Sequence, residues 1–131
     1  METETIVFDH VHLLSENPSA AAEWYVDMLD GKITANIEVG GAPQVTVDFI
    51  GAKIIIRGQR SGEEAVHKKA LYWGTDHFGF RVTGDLDRFC QVLKQKGAMF
   101  TLEPVDFGPK VRIAFIQAPD GVSIELLKRK I

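Results

Sequence analysis

The sequence predicts an α+β fold of two tandem βαβββ modules. The first ground is an internal repeat. Residues 9–31 read DHVHLLSENPSAAAEWYVDMLDG and residues 76–97 read DHFGFRVTGDLDRFCQVLKQKG. Each begins with an Asp-His pair in an apolar strand, passes a polar turn and enters an amphipathic helix that stops at Gly. The second ground is that the halves that follow also match, IGAKIIIRGQR at 50–60 over PDGVSIELLKR at 119–129. The third is size: one such unit is too small to bury a good core alone, whereas the whole chain of 131 residues is enough for one domain.

In module one, Ile6 to Leu14 reads as a strand rich in apolar and β-branched residues. Asn17 can cap the next helix, and Pro18 suits its first position. Ala21, Trp24, Tyr25 and Met28 form its expected buried stripe, and Gly31 a left-handed stop. Three short strands follow over 32–37, 44–50 and 53–57, with turns at Gly40-Gly41 and Gly51. Module two repeats the order. A strand over 77–82 leads to a helix capped by Asp85 and ending near Gly97. Strands follow over 99–102, 111–117 and 122–127, the last two joined by the tight turn Pro119-Asp120-Gly121. Module one covers about residues 5–58, the connector 59–75 and module two about 76–130, within a single domain. The connector is polar and Gly-containing, and a loop of that length in a small domain is often functional.

Composition narrows the function classes. The net charge is −3 with no long basic stripe, so nucleic acid is not the expected partner. Lys128-Arg129-Lys130 reads as a solvated end. No apolar run is long enough to span a bilayer, so no membrane partner is expected. The start METETIVF carries acids where a signal peptide needs positive charge, so a cytoplasmic location is expected. The single cysteine, Cys90, falls with Leu86, Phe89 and Leu93 on a helical core stripe and reads as inert packing.

Side chains alternate across a strand. His10 and His12 therefore share one face of the first strand, and His77 and Arg81 one face of its repeat. The repeat superposes His10 on His77 without a gap. Glu125 sits between Ile124 and Leu126, where a carboxylate is costly unless paired or bound to a metal. Two imidazoles and a carboxylate from three strands suit Zn, Fe or Mn, with positions left open for water or substrate. His12 is a candidate general acid or base beside the metal, or else a polar lining residue. Arg81 would clamp a substrate carboxylate or phosphate, or form a structural ion pair. Asp9 and Asp76 repeat as well, and by alternation point away from the ligands as strand-edge hydrogen-bonding residues. His67, Tyr72 and Trp73 lie in or beside the connector, as surface residues or as a lid.

DHVHLL with EWYVDMLDG, DHFGFRV with the following helix, and APDGVSIELL together resemble the vicinal oxygen chelate superfamily. That superfamily includes glyoxalase I, bleomycin-resistance proteins, methylmalonyl-CoA epimerase and extradiol dioxygenases. The resemblance implies sheets that curl around a central metal cleft, and it carries ligand roles onto His10, His77 and Glu125. Glyoxalase I usually has a fourth ligand, an acid on the last strand of its first module. The internal alignment puts Ile55 at that place, and isoleucine cannot bind a metal. What is left is the two-His-one-carboxylate set of non-haem Fe(II) oxygenases. The expected function is thus a metal-dependent enzyme on a small oxygenated organic substrate, leaning to a dioxygenase. The alternatives are a glyoxalase I-like lyase or epimerase, and a non-catalytic binding protein like the bleomycin-resistance proteins. Fe(II) is the favoured ion, with Zn, Ni, Mn or Co as the others. A homodimer is implied by the resemblance alone.

Overall fold

Asn17 starts the first helix as its residue type requires: its side chain accepts a hydrogen bond from the Ala20 N–H at 3.1 Å, and Pro18 fills the first turn. In the computed structural model, which describes residues 4–130, the elements run β1 (Val11–Leu14), α1 (Pro18–Leu29), β2 (Lys32–Val39), β3 (Ala42–Phe49) and β4 (Ala52–Arg57). The sequence then repeats as β5 (Phe78–Arg81), α2 (Leu86–Gln95), β6 (Met99–Asp106), β7 (Val111–Gln117) and β8 (Ser123–Arg129). This is an α+β fold of two tandem βαβββ modules. Of the acidic start weighed against a signal peptide, residues 1–3 lie outside the described residues. No described helix is long and apolar enough to cross a membrane.

The chain divides into two compact units between Ala65 and Val66. In the first, the sheet order is β1-β4-β3-β2; in the second it is β5-β8-β7-β6. Each sheet is mixed: β1–β4 and β5–β8 run parallel, and the other neighbours antiparallel. A parallel pair needs a crossover, and the helix with the two strands after it supplies one in each unit.

One face of each sheet is dry. Val45, Val47, Ile54 and Ile56 are buried on the first sheet, and α1 lies against β3 and β4 with Ala21, Ala22, Tyr25 and Met28 buried. In the second unit Ile116, Ile124 and Leu126 are buried on the sheet, with Leu86, Cys90 and Leu93 from α2. Burial pushes the Cys90 thiol up to about 11, which fits the inert reading. The strand alternation that makes one face dry leaves the opposite face to His12, Ile55 and Arg57 in the first unit and to Gly79, Arg81 and Glu125 in the second.

Four local expectations are corrected. β1 begins at Val11 rather than Ile6: its pairing with β4 starts at Val11–Ile54, in-register positions for Val7 and Phe8 would fall in the turn before β4, and Ile6, Val7 and Phe8 are exposed. Trp24 is only half-buried, and Ala22 and Leu29 join the α1 core instead. The left-handed residue that ends α1 is Asp30, with φ 58°, not Gly31. Gly31 is needed for closeness: a Cβ there would stand 2.5 Å from Val47 Cγ1 and 2.9 Å from Phe49 Cε1. Finally, β6 continues to Asp106 and β8 to Arg129, beyond the expected ends, since β7 offers each a long partner.

Candidate functional site

In the second unit, His77 immediately precedes β5, and Glu125 stands on β8 directly across from Gly79. His77 Nε2 lies 3.1 Å from Glu125 Oε1. Gly79 makes this approach feasible, because a Cβ there would lie 3.1 Å from the Glu125 carbonyl oxygen and 3.2 Å from its Cβ. On the other side of Glu125 its ladder partner is Phe115, whose ring meets the His77 ring edge-on with centroids 4.9 Å apart. The imidazole and the carboxylate therefore sit side by side on one sheet face with an aromatic wall behind them. Phe115 escaped the sequence reading, although its place opposite Glu125 follows from strand pairing once the register is known.

The other ring nitrogen of His77 is also taken. Nδ1 donates to Asp76 Oδ2 at 2.7 Å. Asp76 does not point away, contrary to the expectation from strand alternation. β5 starts only at Phe78, so the dyad lies in irregular chain just before the strand, where strand alternation does not hold neighbouring side chains apart. With a carboxylate at each ring nitrogen, the His77 pKa rises above its ordinary 6.5: the Asp76 hydrogen bond raises it most, burial opposes, and the Glu125 bond and charge add to the rise. The Asp76 carboxyl is lowered in turn, chiefly by that same bond.

The first unit repeats this detail. His10 Nδ1 donates to Asp9 Oδ2 at 2.7 Å, again one residue before the strand begins, and this bond lowers the Asp9 carboxyl. Asp9 is thus corrected in the same way. The His10 and His12 rings stand edge to face with centroids 5.8 Å apart. The His12 pKa is lowered, first by burial and then by the charges of His10, Arg57 and Arg60. Arg57 lies across from Leu14 at the far end of β4 and grips Glu63 with both guanidinium NH₂ groups. Arg60 donates to Gln44 Oε1 at 3.0 Å. A cationic flank beside His12 is built in this way, partly by the start of the connector.

The register tests the internal alignment directly. Ile55 pairs with His12 on β1 and Thr46 on β3, as Glu125 pairs with Gly79 on β5 and Phe115 on β7. Isoleucine therefore occupies the carboxylate position of the first unit. Arg81 lies on the Glu125 face two residues beyond Gly79 and is exposed, with no ion pair or hydrogen bond among the described residues. The structural ion pair considered for it does not form. Trp73 and Tyr72 are exposed, and Lys68 Nζ lies 4.5 Å from the Tyr72 ring centroid.

Chemically, the His77–Glu125 pair brings one imidazole nitrogen and one carboxylate oxygen within 3.1 Å of each other, with the distal ring nitrogen held by a second carboxylate. The donor set fits a borderline divalent ion. Among the described residues, no group of three or more His, Cys, Asp or Glu side chains is placed to hold a metal ion.

The model of the Glyoxalase/Bleomycin resistance protein/Dioxygenase superfamily matches residues 7–126. No curated protein matches the chain. Among solved structures, a glyoxylase/bleomycin resistance protein/dioxygenase domain from Frankia sp. EAN1pec is similar with TM-score 0.81 and 22% identity, covering 97% of this chain and 94% of that one. A glyoxalase family protein from Bacillus cereus gives TM-score 0.81 at 17% identity, over 98% and 97% of the two chains. TioX from Micromonospora sp. ML1 gives TM-score 0.68 at 18% identity, over 95% and 99%. At these identities the likeness is one of fold.

Proposed function

Because the chain belongs to the Glyoxalase/Bleomycin resistance protein/Dioxygenase superfamily, we propose that it is a metal-dependent enzyme acting on a small oxygenated organic molecule. Its ligands would be His10, His77 and Glu125. The observation that carries this reading is the 3.1 Å approach of His77 Nε2 to Glu125 Oε1, between the buried Ile124 and Leu126. An isolated half-buried carboxylate there would be unfavourable, and a cation shared with the imidazole offsets that cost.

Bound to these residues, a divalent ion would supply Lewis acidity toward substrate oxygens, and Fe(II) would add reactivity toward dioxygen. The chain's own residues do the rest. His12, whose ring stands edge to face with that of His10, would exchange a proton with the bound substrate. Arg81 would hold an anionic substituent, since its guanidinium is exposed and unpaired on the Glu125 face. Phe115 would limit water on one side of the Glu125 carboxylate.

Ile55 in the carboxylate position of the first unit favours the dioxygenase over the lyase form of this reading. A two-His-one-carboxylate set leaves more positions for substrate and dioxygen than a four-ligand set does. A homodimer goes with the proposal and is checked by sedimentation.

The test has two steps. Native protein should contain close to one divalent ion per chain, and Glu125→Ala should abolish tight binding. Metal-free wild-type protein from several expression media would remove the enzyme reading and leave a small-molecule binder. Oxygen uptake with a catechol panel under Fe(II) would then support the dioxygenase. Turnover of the methylglyoxal–glutathione adduct would support the lyase and overturn the argument from Ile55.

A further inference from the structure

We infer that Asp9 and Asp76 are positioning residues, each holding the histidine after it with the proton on Nδ1, so that Nε2 presents its lone pair on the sheet face. The same device is built twice, once in each unit, at the same place in the repeat and with the same 2.7 Å separation. Both dyads lie just ahead of a strand, β1 at Val11 and β5 at Phe78. That placement is what the contact needs. Within a strand, consecutive side chains project to opposite faces and an Asp-His neighbour pair is kept apart. The loss of strand pairing one residue early releases both dyads from that rule.

The chemistry follows from the inventory of groups. An ionised carboxylate only accepts hydrogen bonds, so the nitrogen facing it carries the proton, and a neutral His10 ring then has its lone pair on Nε2. His77 has a carboxylate at each nitrogen, and the closer Asp76, at 2.7 Å against 3.1 Å for Glu125, holds the proton of the neutral ring on Nδ1. Asp9 and Asp76 expose 76% and 66% of their side chains. Residues this exposed contribute little to packing, so a role through their neighbours is the more economical account of a duplicated contact. A carboxylate behind a ligating histidine fixes ring orientation and raises the basicity of the ligating nitrogen. The metal part of this inference rests on the reading of His10 and His77 as ligands; the tautomer part does not.

The experiment uses the full chain labelled with ¹⁵N at histidine. Long-range ¹H–¹⁵N spectra of the metal-free protein, recorded where the rings are neutral, should show both histidines protonated on Nδ1. Asp9→Ala should move His10 to the Nε2-protonated form that free histidine prefers in water, and leave His77 unchanged. Asp76→Ala should release His77 from Nδ1 protonation and leave His10 unchanged. Zinc titration should show each variant weakened by about 10–100-fold, with little change in melting temperature. Nε2-protonated His10 in the wild type, or tautomers that ignore the two substitutions, would overturn the inference. A wild-type chain with Nδ1-protonated rings that takes up no zinc would uphold the tautomer assignment and overturn only the metal reading.

Discussion

Ile55 on β4 and Glu125 on β8 hold the same place in two copies of one sheet. Each lies between an edge strand and the next strand inward, across from His12 and Thr46 in one case and from Gly79 and Phe115 in the other. The duplicated backbone is therefore asymmetric in its chemistry, with a carboxylate on one side and a hydrocarbon on the other.

Ile55→Glu restores the symmetry. Position 55 is only half-buried, so the fold should tolerate the change at a cost of about 1–2 kcal/mol in the metal-free protein. Zinc affinity should stay the same or tighten. Calorimetric titration against wild type checks this, and clearly weaker binding would count against a metal near position 55.

The two shifted histidines make stability depend on pH in opposite senses. His77 has a folded pKa raised above 6.5, so its contribution is fully present below 6.5 and is lost as pH rises through the folded value. His12 has a folded pKa below 6.5, so the unfolded chain takes up the proton first and stability falls as pH drops from 6.5 toward the folded value. Metal-free protein should thus show a local stability maximum near 6.5 from these two groups. Melting curves across neutral pH measure it. His77→Gln should flatten the alkaline side and His12→Gln the acid side.

Arg81→Leu should leave the fold and the metal content intact, because the side chain is exposed and unpaired. If the guanidinium holds an anionic group of the substrate, KM should rise about 10-fold or more for anionic substrates and little for neutral ones. Steady-state kinetics on a matched pair of substrates separates the two outcomes; an equal change for both would count against a charge contact.

Neighbouring residues at the end of α1 should respond with opposite signs. Gly31→Ala places a Cβ 2.5 Å from Val47 Cγ1 and should destabilise by about 1–3 kcal/mol. Asp30→Gly relieves a left-handed backbone at φ 58° and should be neutral or stabilising by up to about 1 kcal/mol. Urea denaturation of both variants checks the pair.

The sequence was enough to establish the βαβββ order, the N-caps Asn17 and Asp85 of the two helices and the equivalence of Ile55 with Glu125. Such features are local or periodic: a capping side chain, an apolar stripe and a strand alternation are written in residues a few positions apart. The sequence also placed His77 and Glu125 on faces that could meet. Their approach at 3.1 Å was decided by tertiary structure, because it depends on the β5–β8 register and on the bare backbone of Gly79. So was the turning of Asp9 and Asp76 onto their histidines, since strand alternation predicts the reverse wherever pairing holds, and only the sheet partners determine where pairing stops. The close packing that requires Gly31 was equally invisible, as Val47 and Phe49 reach it from another strand.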